Sequence, residues 1–153
     1  MTFVLGSRSL TNLQGVHPTL IEIVKDAILI SPVDFGVPAK AVRTLAEQRN
    51  LLAQGVTKTL HSKHLVHDDG YGWAVDLIPF IGGKFVWEPL EPFHQIAQAM
   101  RTAAGATETT WGAIWDRTLQ ELPADLHAAV AAYNQRHPGP DFNDYPHHQL
   151  GRN

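Results

Sequence analysis

The sequence predicts an α+β fold, and two observations carry that expectation. Helical apolar repeats such as Leu20, Ile23, Val24, Ala27 and Ile28 are interspersed with short β-branched and aromatic runs. The strand pairs at 73–87 and 109–150 are read as free of a crossover helix, which favours α+β over a parallel α/β arrangement.

Taken in order, Ser9 is a candidate N-cap for a short turn through Leu10 and Leu13, closed by Gly15. His17-Pro18-Thr19-Leu20 opens a stronger helix that Ser31-Pro32 stops. Val33 to Val37 reads as a strand, and 46–54 as a helix ended by Gly55. Thr57 to His61 is extended or loop-like. Trp73 to Phe80 reads as a buried strand, Gly82-Gly83 turns the chain, and Phe85-Val86-Trp87 pairs back. Glu91-Pro92 begins a helix with Phe93, Ile96, Ala97, Met100 and Ala104 on one face, ended by Gly105. Thr109 to Trp115 reads as a strand and 119–122 is ambiguous. Ala124 to Gln135 reads as a helix broken by His137-Pro138-Gly139-Pro140. Asp144 to Leu150 is a final strand or bend.

At 153 residues the size prior gives one domain, 1–153, with room for a real core. A formal charge of −3 with 12 Lys and Arg argues against a nucleic-acid or anionic-membrane footprint. No run approaches the roughly 20 apolar residues of a membrane span, and the N-terminus does not read as a signal peptide. Cysteine is absent, so any metal site must use His, Asp or Glu, and nine His is a high number for this length.

The richest stretch is His61 to Leu77, where three histidines and three aspartates lie in a polar, glycine-punctuated loop running into an apolar strand. Imidazole and carboxylate suit zinc, which in catalytic sites keeps three protein ligands and a water. Asp76 stands alone in Ala74-Val75-Asp76-Leu77-Ile78, where an unpaired carboxylate is expensive to bury. His61, His64 and His67 compete as its partner, as do His147 and His148 near the end. Asp144 and His147 are three apart across Pro146, so a bend would let His147 ligate while Asp144 takes a proton from the activated water. A turn aspartate beside a surface histidine fits the residues equally well. Arg43 reads either as an oxyanion or substrate-carboxylate contact, or as a salt-bridge partner of Glu47 or Asp34. His17, His94, His127 and His137 are read as structural or solvent-exposed.

An ordered set of motifs resembles a known family. Leu5-Gly6-Ser7-Arg8-Ser9-Leu10, Gly15-Val16-His17-Pro18, Asp34-Phe35, Arg43-Thr44 with Glu47-Gln48, Thr57-Lys58-Thr59, Ser62-Lys63-His64, Ala74-Val75-Asp76-Leu77, Trp111-Gly112 and Asp144-Tyr145-Pro146-His147 follow in order. Together they are similar to phage endolysins of the LAS-type zinc peptidases, the L-alanyl-D-glutamate peptidases related to D-Ala-D-Ala carboxypeptidases. The resemblance runs from Leu5 to Leu150. It implies a small central antiparallel sheet flanked by helices, with Zn2+ held by His64, Asp76 and His147. It also implies Asp144 as general base, Arg43 at the transition state and Ser62 at the substrate. The implied reaction is attack of a zinc-activated water on the L-Ala-D-Glu bond of the peptidoglycan stem peptide, lysing the host wall after holin-type release from the cytoplasm. A monomer without membrane insertion is expected. Cleavage at D-Ala-D-Ala or D-Glu-diaminopimelate, or a non-catalytic zinc-binding wall domain, are the alternatives.

Two departures stand out. Eleven residues separate His64 from Asp76, where the family commonly keeps fewer, so 67–70 is expected as a bulged loop at the cleft rim. A whole helix within 116–141 separates the Trp111-Gly112 element from Asp144.

Overall fold

In the computed structural model, residues 2–55, 62–139 and 143–153 are described. The loop reading at 57–61, with the Thr57-Lys58-Thr59 element and His61, lies outside the described residues.

Five helices and two small antiparallel sheets make up the described chain, an α+β fold as the apolar periodicity predicts. Helix α1 spans Ser7–Asn12. Ser9 lies inside it rather than capping it, because Gly6 takes the cap position. The buried Ser9 Oγ instead accepts from the Val37 backbone N–H at 3.0 Å, tying α1 to the chain after the first strand.

Helix α2 spans Pro18–Ile30. Its start combines a proline in the first turn with the His17 ring, which accepts the Thr19 N–H at 3.1 Å. Its stripe Leu20, Ile23, Val24, Ala27 and Ile28 is buried and joins one core with Phe93, Ile96, Ala97 and Met100 of α4, which spans Glu91–Ala104. Helix α3 spans Leu45–Ala53, with the Thr44 hydroxyl capping the Glu47 N–H. Helix α5 spans Leu126–Arg136, capped by Asp125 on the Ala128 N–H. The ambiguous segment is a 3-10 turn, Leu119–Glu121. No helix among the described residues is long and apolar enough to cross a membrane.

Strand β1 is short, Phe35–Gly36. The run expected as one strand from Trp73 to Phe80 divides at Leu77 into β2, Ala74–Asp76, and β3, Ile78–Ile81. The division has a cause in partners distant in sequence. Leu77 N–H donates to the Pro146 carbonyl, β2 pairs with β6 (His147–Leu150), and β3 pairs with β1 and with β4 (Lys84–Phe85). The antiparallel strands therefore form two three-stranded sheets, one ordered β1-β3-β4 and the other β2-β6-β5, with β5 at Thr109–Trp111. Strand β5 is shorter than the expected run to Trp115, because the chain turns away at Gly112. The second sheet carries the candidate site.

Candidate active site and metal centre

Register places the key side chains. In the β2–β6 pair, Asp76 lies directly opposite His147, and Val75 opposite His148. Opposite residues of an antiparallel pair share a face, and side chains alternate along a strand. His147 and Gln149 thus lie on the Asp76 face. His148 points the other way, fully buried against Trp111 with rings 6.4 Å apart and nearly parallel. That alternation separates the two adjacent histidines.

His64 arrives from the loop 62–65. The Ser62 hydroxyl accepts the His64 N–H at 3.1 Å, and the His64 carbonyl accepts the Arg43 N–H at 2.9 Å. The His64 ring is buried, with Nδ1 bonded to the Ala41 carbonyl at 2.8 Å. A carbonyl only accepts, so Nδ1 carries the proton and Nε2 keeps its lone pair. That lone pair faces Asp76 Oδ1 at 3.5 Å. His147 repeats the arrangement with its nitrogens exchanged: Nε2 donates to Gln149 Oε1 at 2.7 Å, and Nδ1 faces Asp76 Oδ1 at 3.7 Å.

Three acceptor atoms therefore converge, all within 4.8 Å of one another. Asp76 Oδ1 is shut from solvent and has no hydrogen-bond partner among the described residues. Such a buried orphan needs a compensating positive charge or a ligand. Two imidazoles, each oriented by a carbonyl behind it, and one carboxylate make the donor set of a zinc site. The residues fit the ion.

The neighbouring charges act in opposite directions. Burial alone would raise the Asp76 carboxyl, but His64, His147 and Arg43 outweigh it and hold it at about 2. Burial, reinforced by His64, pushes His147 down to about 4, so its ring is neutral and free to ligate. Asp144 lies beside the cluster, Oδ2 4.0 Å from His147 Nδ1. Burial and then the Asp76 charge push Asp144 up to about 6, against His64 and Arg43.

Of the sequence candidates, His64, Asp76 and His147 come together with Asp144 adjacent, and Ser62 orients His64. Arg43 is close enough for its charge to act on Asp76 and Asp144. Its Nη1 donates to Gln48 Oε1 at 3.2 Å, while Glu47 pairs with Lys40. His67 stacks on Trp73 at 4.6 Å instead of joining the cluster. The inserted loop is closed by its own hydrogen bonds. His67 N–H donates to the Tyr71 carbonyl, Gly70 N–H to the His67 carbonyl, and Asp69 accepts from Trp73 Nε1 and the Tyr71 N–H.

Four contributors escape the sequence reading: the Ala41 carbonyl, Gln149, Trp115 and the packing role of Gly112. Trp115 lies 4.9 Å from the His147 ring. Only Gln149 carried a signal, since its two-residue offset from His147 puts both on one strand face.

A family model for the phage L-alanyl-D-glutamate peptidase matches residues 1–126. The chain belongs to the phage L-alanyl-D-glutamate peptidase family. That match holds His64 and Asp76 and stops before Asp144 and His147. The L-alanyl-D-glutamate peptidase of Escherichia phage T5 is 31% identical over 121 residues, 76% of this chain and 84% of that protein. The crystal structure of the Serratia marcescens L-Ala D-Glu endopeptidase ChiX superposes with a TM-score of 0.69 at 29% identity. That superposition covers 97% of this chain and 90% of the other. The family makes this protein a peptidase.

Proposed function

We propose that this peptidase is a zinc-dependent endolysin that cleaves the peptidoglycan stem peptide between L-Ala and D-Glu. The observation that carries the reading is the convergence of two lone pairs, each fixed by a carbonyl behind the ring, on the orphaned Asp76 Oδ1. The names of the relatives supply the bond. His64, Asp76 and His147 would hold the zinc. When bound, zinc lowers the pKa of a water towards about 7 and polarises a carbonyl.

The chain's own residues do the rest. Asp144, raised to about 6, is poised to take a proton from the attacking water near neutral pH and return it to the leaving amine. Arg43 supplies positive charge where the carbonyl oxygen becomes an anion. Its bond to Gln48 fixes the guanidinium in place. Ser62 orients His64 and lines the approach of the substrate. Residues 1–153 act as one catalytic domain, reaching the wall from the cell interior after release.

The test combines metal content with product mass. Purified protein should carry about one zinc per chain in dilute zinc, and digested peptidoglycan should release fragments with new D-Glu amino termini. Asp144→Ala should keep the zinc and lose the fragments. Fragments ending at D-Ala or at diaminopimelate would replace the assigned bond, and undiminished release by Asp144→Ala would remove the base.

A further inference from the structure

A second group of ligating side chains lies away from the centre just described. Glu91 and His94 are three apart on α4 and so share a face, and His127 comes from the first turn of α5. Their ligand atoms all lie within 4.8 Å of one another. We propose that Glu91, His94 and His127 form a second binding site for a divalent transition-metal cation, of the class that includes zinc, cobalt and nickel.

The geometry of His94 carries this furthest. Its ring is buried, and Nδ1 donates to the Leu90 carbonyl at 3.1 Å, which leaves the Nε2 lone pair free. Trp111 at 5.3 Å and Tyr145 at 5.8 Å pack against the ring. His127 stacks on it at 3.9 Å, within 5° of parallel, and this exposed side chain must turn out of the stack to aim its in-plane lone pair at a cation shared with His94. Burial also lowers the His94 pKa, which keeps the ring in the neutral form a metal requires. His127 Nε2 and Glu91 Oε2 are 2.5 Å apart, in a contact that a cation between them would replace. A cleft of about 290 Å³ opens beside these groups, with Gln95, Gln98 and Asp125 on its walls, leaving room for water to complete the coordination.

Two imidazoles and one carboxylate favour a borderline transition metal over calcium or magnesium, which take oxygen ligands. Glu91 and His127 are more than half exposed and give up side-chain freedom on binding, so this site is weaker than the buried centre at His64. A cation here joins α4 to the start of α5. It also fixes the His94 ring against Tyr145, whose carbonyl accepts from Trp111 Nε1 at 2.8 Å in the turn that presents Asp144. The inference does not depend on the peptidase reading, because no residue is shared between the two centres.

The experiment is equilibrium dialysis of the zinc-replete full chain against rising free Zn2+, with metal per chain read by mass spectrometry. The wild type should reach two equivalents, the second at higher free zinc. His127→Ala and Glu91→Ala alter exposed side chains, and should keep the first equivalent and weaken the second by more than about a hundredfold, beyond the loss of an outer partner. His137→Ala, a surface histidine on the same chain, should retain both. The proposal fails if the wild type stops at one equivalent, if His127→Ala fills the second as the wild type does, or if His137→Ala alone removes it.

Discussion

Gly112 is required by contact rather than by backbone conformation. A Cβ there would lie 2.3 Å from the Asp144 carbonyl oxygen and 2.9 Å from the His147 Cβ. The same glycine donates its N–H to the His147 carbonyl and accepts the Asp144 N–H, both at 2.8 Å, so it sets the turn that presents both residues. Gly112→Ala should cost about 1–3 kcal/mol in stability by overpacking. The displaced turn should lower kcat/KM by up to about a hundredfold, with weaker zinc retention. Wild-type kinetics in that variant would show that the turn tolerates the shift. Asp144 gives a second prediction at this scale. Its carboxyl is pushed up to about 6 and works as a base only when deprotonated, so kcat/KM should fall as pH drops through that value. A cation neutralising Asp76 moves this limb to lower pH, never higher. A pH–rate profile with the same acid limb in Asp144→Asn would assign the limb to another group.

Helix α5 is anchored at its C-terminal end by a forked pair. Arg136 Nε and Nη2 each donate to Asp116 at 2.9 Å, and His137 Nε2 lies 3.0 Å from the same carboxylate. Arg136 holds Asp116 at about 2, against a smaller opposing effect of burial. The folded value lies below the unfolded value of about 4. The stabilisation is therefore full above pH 4 or so and is lost as pH falls through about 2. Asp116→Asn should lower stability at pH 7 by on the order of 1 kcal/mol, as for a favourable but partly solvated pair. Urea titrations at neutral and acid pH should find that deficit shrinking with acid; a deficit independent of pH would make the contact steric. Elements of this kind were unequally legible. Helices α2 and α4 were readable because each buries a continuous apolar stripe. The division of the Trp73–Phe80 run was not, because the change of sheet at Leu77 depends on Pro146 and Phe35, far away in sequence. Ser9 misled for a similar reason: a hydroxyl near a helix start suggests a cap, yet its partner Val37 is 28 residues on.

Across the whole molecule, the candidate centre joins the loop before Leu65, strand β2 and the C-terminal strand β6. Sequence chemistry could name the ion class and isolate Asp76, but it could not rank His61, His64 and His67. The ranking of His64 over His67 depends on the Ala41 carbonyl, which orients one ring, and on Trp73, which occupies the other. Two imidazoles face a buried carboxylate oxygen that has no hydrogen-bond partner among the described residues, and folding alone brings these three ligand atoms together. Zinc binding to the folded chain alone should therefore add stability by mass action, about 4 kcal/mol when free zinc exceeds Kd a thousandfold. For a chain of this size each kcal/mol moves Tm by about 2–4 °C, so a chelator should lower Tm by on the order of ten degrees. With zinc buffered low enough to fill only the buried centre, His127→Ala should retain that drop in full. His64→Ala should start from the lower Tm and respond little to the chelator, because the acceptors left behind no longer form a complete ligand set. Identical melting of the wild type with and without chelator would mean that Asp76 is balanced by the neighbouring side chains, Arg43 among them, rather than by a metal, and that the two sheet strands and the loop close without an ion.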